Sequence, residues 1–227
     1  MIFRDREDAG RQLAAALKRF AGSDPVVLAL PRGGVPVAFE VARELAAPLD
    51  LVLVRKIGAP WHRELAAAAI VDGERTDMVV NEDVVESLGI SAAYLEAEAK
   101  RQVEEIERRR EAYFAGGERA QVAGRTAIVV DDGIATGATV RAALRAIRRR
   151  APRQLVLAVP VAPQETLDAL RAEVDEIVCL ATPDDFGAIG AFYDDFRQID
   201  DQEVRLLLAR GKPQSEKRPG CERGAPE

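Results

Sequence analysis

The chain has 227 residues, of which 48% are hydrophobic and 31% charged, enough apolar sequence to bury a sizeable core in one large domain. A net charge of −6 and a pI near 5.1 argue against general electrostatic attraction to nucleic acid or to an anionic membrane. The two cysteines do not indicate a disulfide framework. The sequence has no apolar signal core and no run of about 18 apolar residues, which excludes a membrane span, so we expect a cytoplasmic protein.

The order of apolar runs and helical segments predicts an α/β fold. Val-rich stretches alternate with segments rich in Ala, Glu and Arg, which is typical of a parallel sheet flanked by helices. An apolar stripe at helical spacing predicts an opening helix over 7–20, and residues 26–30 are the first buried strand. A second strand is expected over 49–54.

A glycine pair follows the first predicted strand. Arg32, Gly33 and Gly34 stand between that strand and a segment with a helical apolar face. Two consecutive glycines let the backbone approach an anion closely, and a guanidinium can fork onto phosphate oxygens. The alternative interpretation is an ordinary turn with an exposed arginine.

Two cations, Arg55 and Lys56, are expected at the carboxyl end of the second strand. Residues 57–64 then form a predicted loop in which His62 and Glu64 are the candidate functional residues. His62 is the single histidine of the chain, and a lone histidine is more often a surface or packed residue than a catalyst.

A helical insertion is predicted before the third core strand. Short strands at 65–71 and 78–80 read as a hairpin, and a helix over 82–89 precedes a longer one that Ser91 caps. This arm, residues 82–116, could cover the site or form a dimer contact. A homodimer is one expectation, because twofold dimers are the commonest symmetric assembly.

The most informative stretch is Asp131-Asp132-Gly133-Ile134-Ala135-Thr136-Gly137-Ala138-Thr139, which follows the buried strand predicted over 127–130. Open α/β sheets bind ligands at the carboxyl ends of their strands, where the two acids lie. The small residues after them precede a helical apolar stripe, so free N–H groups at the helix start form a phosphate cradle. A ribose 5-phosphate offers hydroxyls to the acids and a phosphate to the cradle. The alternative is a turn with a helix cap.

This stretch resembles the PRPP-binding motif of type I phosphoribosyltransferases, where PRPP is 5-phosphoribosyl 1-diphosphate. The resemblance implies that the two acids bind the ribose hydroxyls and serve catalysis, while the loop after them binds the 5-phosphate. It also implies that the earlier glycine and cation segments bind pyrophosphate, and that Mg²⁺ acts without a direct ligand from the protein. The expected PRPP-binding residues are Asp131, Asp132, Gly133, Ala135, Thr136, Gly137, Ala138 and Thr139, and the expected pyrophosphate-binding residues are Arg32, Gly33, Gly34, Arg55 and Lys56.

Aromatic and acidic residues interleave over 182–198. Phe186, Phe192 and Tyr193 carry rings that could stack on a heterocycle, which makes the segment a candidate hood for base recognition. The alternative is a small satellite core beneath a terminal helix over 200–210.

The domain organisation follows from these elements. We predict one phosphoribosyltransferase domain over 1–210, with an open parallel sheet as its core at about 26–181. Residues 211–227 are polar and rich in Pro and Gly, and we expect a disordered tail there.

The function implied by the resemblance is transfer of 5-phosphoribose from PRPP to a nitrogen acceptor, a base or an amine, with release of pyrophosphate and with Mg²⁺ as cofactor. A PRPP-sensing or nucleotide-sensing binding protein on the same fold is the alternative. A PRPP synthetase fits less well, because the chain is short for that enzyme's paired domains and shows no ATP-binding segment.

Overall fold

A computed structural model describes residues 3–72, 77–114 and 119–211 of the chain. Its strands belong to two sheets, one parallel with five strands and one antiparallel with three. In chain order the elements are α1 (Arg6–Leu17), β1 (Pro25–Ala29), α2 (Gly34–Glu44), β2 (Leu49–Leu51), β3 (Val54–Ala59), β4 (His62–Val71), β5 (Asp77–Val80), α3 (Glu82–Ser87), α4 (Ala92–Phe114), β6 (Thr126–Val130), α5 (Ala138–Arg149), β7 (Gln154–Val161), α6 (Gln164–Leu170), β8 (Glu176–Ala181) and α7 (Asp201–Arg210).

The parallel sheet has the strand order β2-β1-β6-β7-β8. The chain leaves β1 toward β2 on one side and leaves β6 toward β7 on the other, so the direction of winding reverses between β1 and β6. Loops that follow two such strands diverge and open a crevice at the carboxyl edge of the sheet. The predicted α/β fold with an open parallel sheet is therefore confirmed.

Helices cover both faces of this sheet. β1 and β6 are buried at every position, as expected for parallel strands between two helical layers. Alternate residues point to opposite faces: Val27 and Ile128 pack in the cluster with α1 and α2, whereas Leu28 and Val129 pack in the cluster with α5. The sheet thus forms a rigid platform under the crevice.

The second predicted strand, 49–54, is wrong in its length. β2 ends at Leu51, and β3 starts a separate antiparallel sheet of order β3-β4-β5 at Val54. Arg55 and Lys56 therefore lie inside a strand of this second sheet, not in a loop after β2. Sequence periodicity did not show the break, because the apolar run continues through Val52 and Leu53.

The arm helices have the predicted positions. α3 and α4 follow β5, and the backbone N–H of Tyr94 donates to Ser91 Oγ at 3.2 Å, which is the predicted cap. α4 packs on β3, β4 and α7, so it supports the antiparallel sheet from the side opposite to α5.

A buried ion cluster ties α4 to the edge of both sheets. Arg110 donates from Nη1 to Asp72 Oδ2 at 2.6 Å and from Nη2 to Asp50 Oδ1 at 3.0 Å. Arg119 also pairs with Asp72, and Ala120 N donates to Asp50 Oδ2 at 2.8 Å. Two buried carboxylates thus meet two guanidinium groups, the arrangement that buried charges require.

The terminal helix α7 packs against α2 and α4. Of the tail predicted over 211–227, residues 212–227 lie outside the described residues.

Candidate active site

Two loops face each other across the crevice at the carboxyl edge of the parallel sheet. One follows β1 and contains Arg32, Gly33 and Gly34; the other follows β6 and runs from Asp131 to Thr139. Leu30 N donates to Val130 O at 2.9 Å, which fixes the starting points of both loops side by side. Most of the predicted residues are thus assembled in one place, although they lie about a hundred residues apart in sequence.

The two acids of the second loop have different surroundings. Asp131 is half-buried, and its Oδ1 accepts a hydrogen bond from Asp132 N at 2.9 Å. Asp132 is buried, and its Oδ2 accepts a hydrogen bond from Arg6 Nε at 2.7 Å. Burial raises the pKa of both carboxyl groups; the charge of Asp132 adds to the rise at Asp131, and the charge of Arg6 opposes it at Asp132.

Arg6 was not among the residues that we predicted from sequence. It is the first residue of α1 and lies 126 positions from Asp132. The helix dipole disfavours a positive charge at the N-terminus of a helix. The position of Arg6 at the start of α1 was therefore a weak signal that this arginine has a specific anionic partner.

The loop from Gly133 to Thr139 has the backbone form of an anion cradle. Gly137 has a φ of 74°, which favours glycine, and α5 starts at the next residue. Ile134 N donates to Val161 O at 3.0 Å, and Thr166 Oγ1 donates to Ala135 O at 2.7 Å, so the loop is fixed from outside. The unpaired N–H groups at the start of α5 can therefore receive a phosphate. Of the predicted residues here, Ala135, Thr136 and Ala138 are exposed, Thr139 is half-buried, and Gly133 and Gly137 are buried.

The glycine loop after β1 touches the acid loop directly. The Pro31–Arg32 peptide bond is cis. A side chain at Gly33 would overlap the Asp132 carboxylate, and a Cβ at Gly34 would lie 2.8 Å from Val130 O and 2.9 Å from Asp131 Cα. Arg32 is partly exposed, with Nη1 at 3.7 Å from Asp201 Oδ1 on α7. The glycines are thus required for the close approach of the two loops.

We expect Gly34→Ala to weaken the site by separating these loops. A Cβ closer than 3.0 Å to two backbone atoms forces them apart, which we expect to cost about 1–3 kcal/mol of unfolding free energy. Urea denaturation measures the loss, and titration with PRPP tests whether the binding that the sequence resemblance implies is weakened as well. Gly22→Ala is the matched control, since a Cβ there meets nothing within 4 Å; equal effects of the two substitutions would contradict the account.

Arg55 and Lys56 do not lie together at the end of one strand, where the sequence predicted them. They are consecutive residues of β3, so their side chains point to opposite faces of the antiparallel sheet. Arg55 Nε donates to Gln102 Oε1 on α4 at 3.1 Å, whereas Lys56 is exposed and lines the groove that also contains Thr136. Only Lys56 therefore faces the proposed phosphate loop.

That groove has a volume of about 800 Å³ and lies between α5 and the antiparallel sheet. Lys56, Arg141 and Arg145 line it together with Thr136 and Ala138. Glu82 and Asp83 also line the groove, and Arg145 is paired with Glu173. Lys56 and Arg141 are therefore the cations that favour an anionic group at the start of α5.

The residues predicted as a loop over 57–64 instead contain the end of β3, a two-residue turn at 60–61 and the start of β4. Trp61 in this turn is 86% exposed, and His62 is exposed at the start of β4. The side chain of Glu64 lies outside the described residues.

The aromatic residues of 182–198 are packed on one another near the acids. Phe186 and Phe192 are half-buried and stacked, with ring centroids 5.3 Å apart. Tyr193 is buried against Phe3, and its hydroxyl donates to Asp132 O at 2.5 Å. Burial raises the pKa of Tyr193, so the hydroxyl keeps its proton. Tyr193 belongs to a satellite cluster that includes Phe3 and Val161, not residues of α7.

Comparison with known proteins agrees with this geometry. The family model described as a phosphoribosyl transferase domain matches residues 3–197, so the chain belongs to the phosphoribosyl transferase domain family. The family predicted from the acid and glycine loops is thereby confirmed.

Two relatives place the chain more closely. It is 48% identical over 209 residues to a Mycobacterium tuberculosis protein whose name assigns it provisionally as a phosphoribosyl transferase; the match covers 92% of this chain and 47% of the relative. The chain thus spans about half the length of the curated relative it matches. A Thermus thermophilus protein of known crystal structure is 44% identical with a TM-score of 0.82, covering 92% of this chain and 99% of the other.

No helix within the described ranges is both long and apolar enough to cross a membrane.

Proposed function

We propose that the protein transfers the 5-phosphoribosyl group of PRPP to a nitrogen of a nucleobase-like acceptor and releases pyrophosphate. The observation that carries this proposal is the placement of an acid pair and a phosphate cradle on one loop, opposite the Arg32-Gly33-Gly34 loop. This arrangement offers partners to the hydroxyls, the 5-phosphate and the diphosphate of one molecule.

In this proposal each loop holds one part of PRPP. The N–H groups at the start of α5 bind the 5-phosphate, with Lys56 beside them across the groove. Asp131 and Asp132 accept hydrogen bonds from the ribose hydroxyls. Arg32 and the backbone at Gly33 and Gly34 bind the diphosphate, where glycine permits close approach.

The reaction would proceed by substitution at the anomeric carbon of the ribose. The bond from that carbon to the diphosphate oxygen breaks and the bond to the acceptor nitrogen forms. The acceptor nitrogen gives up its proton to a general base. The transition state has oxocarbenium character, so nearby carboxylates stabilise the ring as positive charge develops. Arg32 stabilises the negative charge that develops on the leaving diphosphate.

In this proposal a Mg²⁺ ion would arrive with the diphosphate, beside the carboxylates of Asp131 and Asp132. Mg²⁺ usually keeps several waters and binds substrate phosphates with one or two carboxylates. In the part of the chain that the structure describes, no three His, Cys, Asp or Glu side chains lie close enough together to hold a metal ion. When bound, Mg²⁺ would supply charge neutralisation to the leaving group.

Pyrophosphate release tests the proposal. Wild-type protein with PRPP and Mg²⁺ should release pyrophosphate when one member of a panel of purines, pyrimidines and amines is added, and chelation of Mg²⁺ should abolish the release. If PRPP binds but no acceptor promotes release, the protein is a PRPP sensor on this fold. If PRPP does not bind, the proposed substrate is wrong.

A further inference from the structure

The second acid of the pair is bound by a residue from outside the motif. Arg6 Nε lies 2.7 Å from Asp132 Oδ2, and the two side chains are only 9% and 11% exposed. Arg6 belongs to α1, which precedes the whole parallel sheet in sequence. The acid loop therefore depends on the amino-terminal helix for the partner of one of its charges.

Arg6 is itself held in one position by the segment that follows β8. Its Nη1 donates to Arg197 O at 2.8 Å, and its guanidinium lies 3.8 Å from the centroid of the Phe196 ring. Tyr193 in the same segment donates to the backbone carbonyl of Asp132 at 2.5 Å. Hydrogen bonds and cation–π stacking on several sides leave the Arg6 side chain little rotational freedom.

This contact uses one oxygen of the Asp132 carboxylate. Oδ2 accepts from Arg6, whereas no other cation that the structure describes pairs with this carboxylate, whose remaining contacts are within its own loop, with Asp131. The Gly33 backbone lies so close that any side chain there would overlap the carboxylate. The surrounding loops are thus shaped around a single orientation of the Asp132 side chain.

We propose that Arg6 is a positioning residue of the ribose site, which holds the Asp132 carboxylate so that Oδ1 accepts a hydrogen bond from a ribose hydroxyl. Arg6 acts through Asp132 and does not contact the substrate. The inference rests on the proposed function, because it assigns a role within the PRPP site.

The local charges give this role a measurable consequence. Three groups face Asp132: Asp131 in its own loop, Arg6 on α1 and Tyr193 after β8. The buried hydroxyl of Tyr193 keeps its proton. Arg32, in the loop after β1, is directed toward Asp201. Burial raises the pKa of Asp132, and Arg6 opposes that rise. Without Arg6, Asp132 should take up a proton at a higher pH and lose the ability to accept from a hydroxyl.

The test is titration with PRPP and Mg²⁺ across about pH 5 to 9 for the wild-type protein, Arg6→Met and Arg6→Lys. Arg6→Met should raise the PRPP dissociation constant by about tenfold or more. The fall in PRPP affinity at low pH, the acid limb of the titration, should move to higher pH. Arg6→Lys restores a positive charge and should recover much of the affinity at neutral pH. Arg4→Met and Arg197→Met are the controls, since Arg4 is 71% exposed and Arg6 uses only the backbone carbonyl of Arg197; both should stay within about twofold of wild type.

Failure of the proposed function and failure of the proposed role of Arg6 would give different results. If wild-type protein does not bind PRPP, the proposed function fails and the role of Arg6 fails with it. If wild type binds and Arg6→Met binds equally with an unchanged acid limb, only the role of Arg6 is overturned. Should Arg6→Met not fold, Phe196→Leu loosens Arg6 while keeping both ion partners, and wild-type affinity and pH dependence in that variant would overturn the inference.

Discussion

Replacement of Asp131 by asparagine is expected to lower pyrophosphate release about 10- to 100-fold, because a charged hydrogen bond to the ribose contributes about 1.5–3 kcal/mol. The amide can still accept the hydrogen bond that Asp132 N donates to Asp131 Oδ1 at 2.9 Å. The loop should therefore keep its shape while the site loses one negative charge. Steady-state kinetics with PRPP and the acceptor measure the loss.

The stability of the same variant should change in the opposite direction. Burial and the charge of Asp132 raise the pKa of Asp131 above its ordinary value, so the folded protein binds this proton more tightly than the unfolded chain does. Stability from this group is then present below the ordinary carboxyl pKa and is lost as pH rises through the raised folded value. At neutral pH Asp131→Asn removes that cost, and we expect a melting temperature equal to or above that of wild type.

Asp24→Asn is the matched control for Asp131→Asn. Asp24 lies before β1 at the opposite edge of the sheet, and its φ of 48° suits asparagine. We expect wild-type kinetics from this variant. If Asp131→Asn lowers both activity and stability, that result would contradict a functional role of Asp131. It would favour the alternative that the acid loop is an ordinary turn with a helix cap.

Replacement of Arg110 by methionine should cost about 3–5 kcal/mol of unfolding free energy, because it leaves the buried Asp50 and Asp72 carboxylates without their shared cation. Asp72 keeps Arg119, but Asp50 keeps only the backbone N–H groups of Leu51 and Ala120. Methionine preserves much of the apolar contact with Phe114, whose ring lies 4.5 Å from the guanidinium. Urea denaturation at neutral pH measures the change.

Arg108→Met is the control for the loss of Arg110, because it removes an arginine two positions away on the same helix. Arg108 is 67% exposed and pairs with Glu105, and an exposed pair within a helix contributes little to stability because water and salt screen it. A loss in Arg110→Met no larger than that in Arg108→Met would show that the buried cluster does not hold the arm in place.

Local patterns in the sequence were sufficient to predict the parallel sheet and both loops of the crevice. Apolar runs such as 127–130 identify strands buried on both faces, and the residues after them must then meet at one edge of the sheet. The helix cap at Ser91 is likewise a local signal. These features depend on neighbours in sequence, so a single chain reveals them.

The remaining features depend on partners that are distant in sequence. Arg55 and Lys56 were predicted at the carboxyl end of one strand because the end of β2 and the start of β3 look like one apolar run. The structure instead places them inside β3, on opposite faces of the second sheet. The contact of Arg6 with Asp132 joins residues 126 positions apart. The periodicity of apolar residues carries no information on such pairs, because tertiary packing determines which distant residues meet.

Calorimetric titration of the wild-type protein and Asp131→Asn with PRPP and Mg²⁺ tests directly whether the loop from Asp131 to Thr139 binds PRPP. We expect saturable binding to wild type with one site per chain, and affinity about tenfold or more weaker in the variant. Binding of PRPP that is equal in both proteins, or absent from wild type, would contradict the assignment of the loop from Asp131 to Thr139 as the PRPP site.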